Sequence, residues 1–238
     1  MEACRFSIVI PARNDATALG RTLDHLARLT GIEGAEIIVA AWGDREVTLR
    51  AVGESGRLLW PEDSTRASLM NAGAWGASGE ILLFLHADSA PPLNALPLME
   101  RVLADGRVVG GAFEHRFTEQ DWRLGIISGI NRLRYRLTNN YYGDQGIFVR
   151  AAVFRQLGGY RPLRLLEDLD LARRLKRVGR SVLIPTYLET SGRRFLVRGP
   201  WRTLAFIVWL LFRYTLGLDT ERYAERWRGP ADSVPGSL

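Results

Sequence analysis

A continuous apolar run at residues 81–85 leads straight into His86-Ala87-Asp88, and Pro91-Pro92 turn the chain just beyond. Such a run, bounded by turn residues, reads as a strand buried on both faces. The imidazole and carboxylate therefore stand at the strand's end. A carboxylate there can hold a divalent cation against a diphosphate, because magnesium and manganese need few protein ligands when phosphate oxygens supply the rest. The plainer alternative is an Asp that opens a turn before Ser and Pro.

A second acidic pair, Glu167-Asp168, opens the stretch LLEDLDLARRLKRVG. Leu171 and Leu175 follow Asp168 at helical spacing, which places Asp168 on the inward apolar stripe and lets Asp170 pair with Arg173 or Arg174. Acids favour the first turn of a helix, where they meet its positive dipole end. That accounts for Glu167 but leaves an inward Asp168 as a candidate for chemistry. Gly143-Asp144-Gln145 reads as a polar turn. Arg66, Arg193 and Arg194 read either as solvated surface or as diphosphate partners, for which the guanidinium fork is suited.

The elements that must position these residues alternate. Residues 6–10, 36–41, 57–60 and 81–85 are strand-like; 15–29, 47–55 and 64–77 are helix-like, with Ser64 as the expected cap. Strand–helix alternation predicts a mostly parallel sheet with helices on its faces, and ligands in such sheets bind beyond the carboxyl ends of the strands. The second half is less regular. Strands are expected at 108–117, 146–149 and 181–185, and helices at 121–138, 164–178 and 201–218.

Composition narrows the function classes. With 47% hydrophobic and 24% charged residues the chain is an ordinary globular protein long enough to bury a full core. The net charge of +6 suits an anionic partner. No paired Cys and His ligands mark a nucleic-acid module, so none is expected as a partner. Cys4 is the only cysteine, which excludes an intrachain disulfide and a zinc–thiolate cluster and makes a reducing, cytoplasmic setting the expectation. Neither a dinucleotide fingerprint, nor a P-loop, nor a nucleophile elbow is present.

Together these stretches resemble glycosyltransferase family 2, the inverting enzymes with a GT-A (Rossmann-like α/β) fold. SIVIPARND resembles that family's first strand and its Pro-x-x-Asn-Glu turn, with Asp15 in place of the glutamate. HAD at 86–88 resembles the metal-binding Asp-x-Asp motif, and LLED resembles the Glu-Asp motif bearing the catalytic base. The order RASLMNAGAWGASGEILLFLHADS, GDQGIFVR, LEDLDLARRLKRVGR, TSGRRF further resembles a bacterial subgroup of radical-SAM/selenodomain-associated transferases.

The resemblance implies transfer of a sugar from a nucleoside-diphosphate sugar, a UDP-sugar by preference, to an acceptor hydroxyl. Pro11, Arg13 and Asp15 would line the nucleoside pocket. Arg66, Asn71, Gly73, Ala87, Arg193 and Arg194 would follow the nucleotide and diphosphate. Asp88 and His86 would hold Mn2+ or Mg2+. Gly143, Asp144 and Gln145 would border sugar and acceptor, and Asp168, beside Glu167, would be the general base. One departure stands out. The second strand ends VAAWGD, with Ala41 and Trp42 where the family carries an acid for the base, so that Asp44 or a stacking Trp42 would have to substitute. This motivates a rival reading, a nucleotide-sugar-binding protein of the same fold with little turnover. Phe195 replaces a tryptophan common in the subgroup.

Residues 1–198 are then the GT-A domain, 199–230 a helical appendage and 231–238 a flexible tail. The stretch 205–212 is wholly apolar, but Arg213 interrupts it well short of the roughly 20 residues a spanning helix needs. An interfacial helix over 201–218 with aromatic and basic anchors, peripheral on the cytoplasmic face of the inner membrane, is one expectation. Burial against the domain, or in a homodimer, is the other.

Overall fold

The computed structural model describes residues 4–228, so the expected tail at 231–238 lies outside the described residues. The first half runs β1 (Phe6–Arg13), α1 (Ala16–Leu26), β2 (Ala35–Trp42), α2 (Arg45–Val52), β3 (Arg57–Leu59), α3 (Arg66–Trp75), β4 (Ile81–Phe84), β5 (Ser89–Ala90) and α4 (Ala95–Leu103). The second half runs β6 (Val108–Phe117), α5 (Trp122–Thr138), β7 (Ile147–Arg150), α6 (Ala151–Gln156), α7 (Glu167–Val178), β8 (Arg180–Thr190), α8 (Arg193–Arg198), α9 (Pro200–Thr215) and α10 (Ala224–Arg228).

One eight-stranded sheet has the order β3-β2-β1-β4-β7-β6-β8-β5. The first four strands are mutually parallel, β7 runs antiparallel between β4 and β6, and β8 lies parallel to β6. This topology brings the carboxyl ends of β1, β4, β6 and β8 to one edge. Because β7 is reversed, its amino end, and with it Gly143-Asp144-Gln145, arrives at the same edge.

The apolar runs are explained by burial on both faces. Ile8 and Ile10 of β1 pack with Leu19, Leu23 and Met99 on one side, while Val9 packs with Met70, Phe84 and Leu171 on the other. Alternate residues of a strand point to opposite faces, so both must be apolar. β1 continues through Pro11 to Arg13, pairing only with β2 there, because β4 has ended opposite Val9 and no ladder on that side needs the missing N–H.

The structure adjusts several boundaries. Thr65, not Ser64, caps α3, its hydroxyl accepting from the Ser68 N–H at 3.3 Å. β8 runs on past Pro185 to Thr190, and a register shift leaves Pro185 and Thr186 without partners on β6, where proline is tolerated. α4 lies in a stretch for which no element was expected, and its Pro97 falls in the first turn, where a proline costs no hydrogen bond. α7 begins at Glu167 rather than Arg164, since Leu166 adopts a left-handed φ of 61° and no helix continues through it.

Candidate active site

The edge where these strand ends meet holds a cavity of about 640 Å³. Of the expected site residues, Pro11, Arg13, Asp15, Arg66, His86, Ala87, Asp88, Gly143, Asp144, Glu167, Asp168, Arg193 and Arg194 all line it, although they come from points more than a hundred residues apart. Asn14, Ser64, Tyr142, Arg164, Glu225 and Trp227 line it too and were not foreseen. Asn14 occupies the asparagine position of the Pro-x-x-Asn turn and has φ 50°, a conformation asparagine tolerates best among non-glycine residues. No local pattern marks Glu225 or Trp227, which only the return of the chain after α9 brings to the cavity.

Four expected donor or acceptor residues do other work. Asn71 locks the Tyr160 backbone from both sides, donating to its carbonyl and accepting from its N–H, each at 2.8 Å. Gly73 lies where any Cβ would collide with Val9, so it serves helix–sheet packing. Gln145 is fully buried, bonded to the Phe113 carbonyl at 3.0 Å and to the Tyr142 N–H at 2.9 Å, which fixes the turn that carries Gly143 and Asp144. Asp44 is the cap of α2, accepting from the Val47 N–H at 3.1 Å. None of the four lines the cavity. Trp42 does not line it either; the Arg13 guanidinium lies 5.1 Å from its ring centroid.

The centre of the site is Arg66, in the first turn of α3. Its Nε donates to Glu167, its Nη2 to Asp168 Oδ2 at 3.1 Å, and its Nη1 lies 2.7 Å from His86 Nε2. Burial opposes the guanidinium charge, but Glu167 and Asp168 outweigh it and hold Arg66 protonated more firmly than a free arginine. Burial, then Arg66, push the His86 imidazole well below its ordinary range. His86 is therefore neutral and accepts from Arg66 through Nε2, with its proton on Nδ1. In this arrangement Nε2 is turned to Arg66, and it is Asp88 whose oxygens face the other side of the cavity.

Asp168 is only 6% exposed and both its oxygens are engaged. Oδ1 accepts from the Leu169 N–H at 2.7 Å, and Oδ2 from the Gly143 N–H at 2.6 Å as well as from Arg66. It sits in the first turn of α7, where the helix dipole favours an anion. Glu167 is 2% exposed; burial raises its carboxyl pKa while Arg66 counters. Gly143 has no room for a side chain, since a Cβ there would stand 2.5 Å from His86 Nε2 and 3.2 Å from Asp168 Oδ2. The left-handed Leu166 turns Glu167 and Asp168 into the cavity. A non-glycine residue pays on the order of 1–2 kcal/mol for that conformation, and such strain gathers at functional sites.

Asp88 forms the other charged pole. Burial first, and then the neighbouring Asp15 carboxylate, raise its pKa to about 6, against the pull of Arg194 and Arg193. Arg193 also reaches Asp15 at 3.4 Å. Two carboxylates crowded in this way offer oxygen donors of the kind that suit a hard cation. Among the described residues no group of three or more His, Cys, Asp or Glu side chains forms a complete metal cage. Any cation here would need oxygens from a ligand, as magnesium and manganese commonly do.

Comparison with known proteins places the chain in a family and a shared fold. The family model described as Glycosyl transferase family 2 matches residues 7–157. A PGL/p-HBAD biosynthesis glycosyltransferase of Mycobacterium tuberculosis is 30% identical over 230 residues, covering 85% of this chain and 87% of that one, and a Mycobacterium bovis counterpart matches equally. Among solved structures, the mannosyltransferase PcManGT from Pyrobaculum calidifontis, in complex with GDP-Man and Mn2+, superposes with a TM-score of 0.66 at 19% identity over 79% of this chain. S. aureus TarS 1-349 in complex with UDP gives 0.67 at 15% identity over 79%. The chain spans 56% and 60% of those two, and at such identities the likeness shows a shared fold.

Proposed function

Since the chain belongs to glycosyl transferase family 2 and is a glycosyltransferase, we propose that it transfers a sugar from a nucleoside-diphosphate sugar to an acceptor hydroxyl with inversion, Asp168 acting as general base. The observation that carries this reading is the pairing, in one cavity, of a buried ionic base on α7 with a separate, cation-seeking pole at Asp88. The complexes of PcManGT with GDP-Man and of TarS with UDP support a nucleotide-sugar donor.

In this mechanism Asp168 takes the acceptor proton as its oxygen attacks the anomeric carbon opposite the departing nucleotide. Positioned proton transfer contributes about 10²–10⁴-fold in rate. Arg66 and Gly143 hold the carboxylate still, and His86 holds Arg66. Arg193 and Arg194 approach the diphosphate, where fixed positive charge stabilises the leaving group. Asp88, with Asp15 beside it, would hold Mn2+ or Mg2+, which when bound offsets charge on the diphosphate oxygens. The Mn2+ of the PcManGT complex supports a divalent ion.

With no acid at Ala41 or Trp42 and Asp44 used as a cap, base recognition falls to backbone groups and to the Pro11–Asp15 turn. UDP remains the preferred donor nucleotide of this reading. The order of motifs from Arg66 to Phe195 supports the radical-SAM/selenodomain-associated subgroup. The exposed apolar side of α9 supports contact with a membrane surface, and the single cysteine supports a cytoplasmic one; none of the described helices is long and apolar enough to cross.

Calorimetry with UDP, GDP, dTDP and their sugars, in manganese and in EDTA, tests the donor site. One nucleotide should bind in manganese, and Asp88→Ala should abolish that binding. Equal binding in EDTA would remove the cation from the mechanism, and no binding to any member would overturn the donor reading.

A further inference from the structure

The lining of the cavity is not uniform. Away from the strand ends, α9 contributes Leu204, Ile207 and the buried Leu210 at helical spacing, and α5 contributes the buried Ile127 together with Asn131. The charged groups that would meet a sugar nucleotide's diphosphate, Arg66, Asp88, Arg193 and Arg194, lie elsewhere in the cavity. The apolar wall nevertheless adjoins the base directly. Leu210 shares a small core with Leu165 and Leu166, and the next residues in the chain are Glu167 and Asp168.

The same two helices are apolar on their outer sides. On α5, Trp122, Ile126, Ile130, Leu133 and Leu137 recur every three or four residues and are all exposed, Trp122 at 69% and Leu137 at 76%. On α9, Trp201, Val208 and Phe212 are exposed at spacings of seven and four, and the rings of Trp122 and Trp201 lie 6.2 Å apart, joining the two stripes. The two helices carry six arginines and no acidic residue. These outer stripes are distinct from the side chains that line the cavity.

We infer that the acceptor carries its hydroxyl on an apolar or amphiphilic body, which packs against the partly exposed Leu204 and Ile207 of α9. The inference rests on the reading of Asp168 as the base, and it names the chemical class of the second substrate.

The test uses the full chain and a series of alkyl β-D-glucosides with four, six, eight and ten carbons, each below its micelle-forming concentration, with binding read by tryptophan fluorescence. Affinity should rise roughly three- to fourfold per added methylene, equivalent to about 0.8 kcal/mol. Ile207→Asn should flatten that dependence, while Val208→Asn, on the exposed neighbour, should leave it intact. Affinity independent of chain length would overturn the inference, as would equal flattening by both variants, which places the chain on the outer surface. Nucleotide binding is measured in parallel. Chain-length dependence without nucleotide binding supports the wall and overturns the donor reading; nucleotide binding without chain-length dependence does the reverse.

Discussion

At the scale of the residue, the site is organised by one arginine that serves three partners, and its consequences can be separated by substitution. Asp168→Asn keeps the shape and one oxygen, which can still accept from Gly143 and Arg66 as Oδ2 does, but it loses the acceptor facing the Leu169 N–H and cannot take up a proton. Transfer should fall by about 10²–10⁴-fold with nucleotide affinity nearly unchanged, as measured by turnover and calorimetry together. Normal turnover in this variant would remove Asp168 from the chemistry and revive a pure binding role for the fold. Gly143→Ala introduces a methyl 2.5 Å from His86 Nε2, and the turn cannot back away because Gln145 is bonded beneath it. The expected result is displacement of the His86–Arg66 contact and a fall in kcat with little change in Tm, checked by kinetics and thermal unfolding. An unchanged kcat would mean that the contact does not matter to catalysis.

At the scale of the element, strand ends deliver the site because the strands are held in register at the opposite end of the sheet. Glu36 of β2 accepts from the Ser7 hydroxyl of β1 at 2.6 Å and from the N–H and hydroxyl of Ser78, ahead of β4, at 2.6 and 2.8 Å. Burial works against this carboxylate, but the hydrogen bonds from Ser7 and Ser78 and the charge of Arg57 hold its pKa below the ordinary value. A depressed folded-state pKa gives stability that is present above the unfolded value, near 4.5, and is lost as pH falls through the folded one. Glu36→Gln should therefore cost about 1 kcal/mol at pH 7, and that difference should shrink toward zero at pH 3, read from urea unfolding of both proteins at each pH. A difference that stayed constant with pH would show that shape rather than charge is what Glu36 supplies.

The elements also show what the sequence could and could not convey. Doubly buried strands announce themselves as apolar runs, so β1, β2 and β4 and the position of Asp88 were legible, as was Asp168 from its inward place on a helical stripe. The gathering of Gly143 and Asp144 to Asp168 was not, because it depends on the reversal of β7, a property of topology that no local pattern encodes. Asn71 and Gly73 were misread for a related reason. A polar side chain near a cavity and one that braces a backbone look alike in sequence, and only the bonds to Tyr160 and the closeness of Val9 tell them apart. Leu166 bears a left-handed conformation that nothing about leucine foretells.

At the scale of the whole molecule, the question is what meets the exposed apolar faces of α5 and α9. The segment after residue 198, expected as an appendage, supplies Leu204, Ile207, Leu210 and Trp227 to the cavity wall. Removing it would uncover Leu165 and open the site, so insolubility of such a truncation would say nothing about membranes. Surface substitutions are the sharper instrument. Arg123, Arg132 and Arg136 are paired with Asp121 and Glu114, but the helices themselves carry no acid, and basic groups near an anionic surface contribute about 1 kcal/mol each while buried aromatic and aliphatic side chains add to it. The protein should sediment with vesicles containing anionic phospholipid, bind neutral phosphatidylcholine vesicles weakly, and lose affinity in high salt. Ile130→Glu with Leu137→Glu, both on the outer stripe and neither lining the cavity, should release it. Sedimentation equilibrium on the unmodified protein provides the counter-case: a dimer that the same two substitutions dissociate, with no vesicle binding at any lipid composition, would assign this face to a second copy of the chain and overturn the membrane reading.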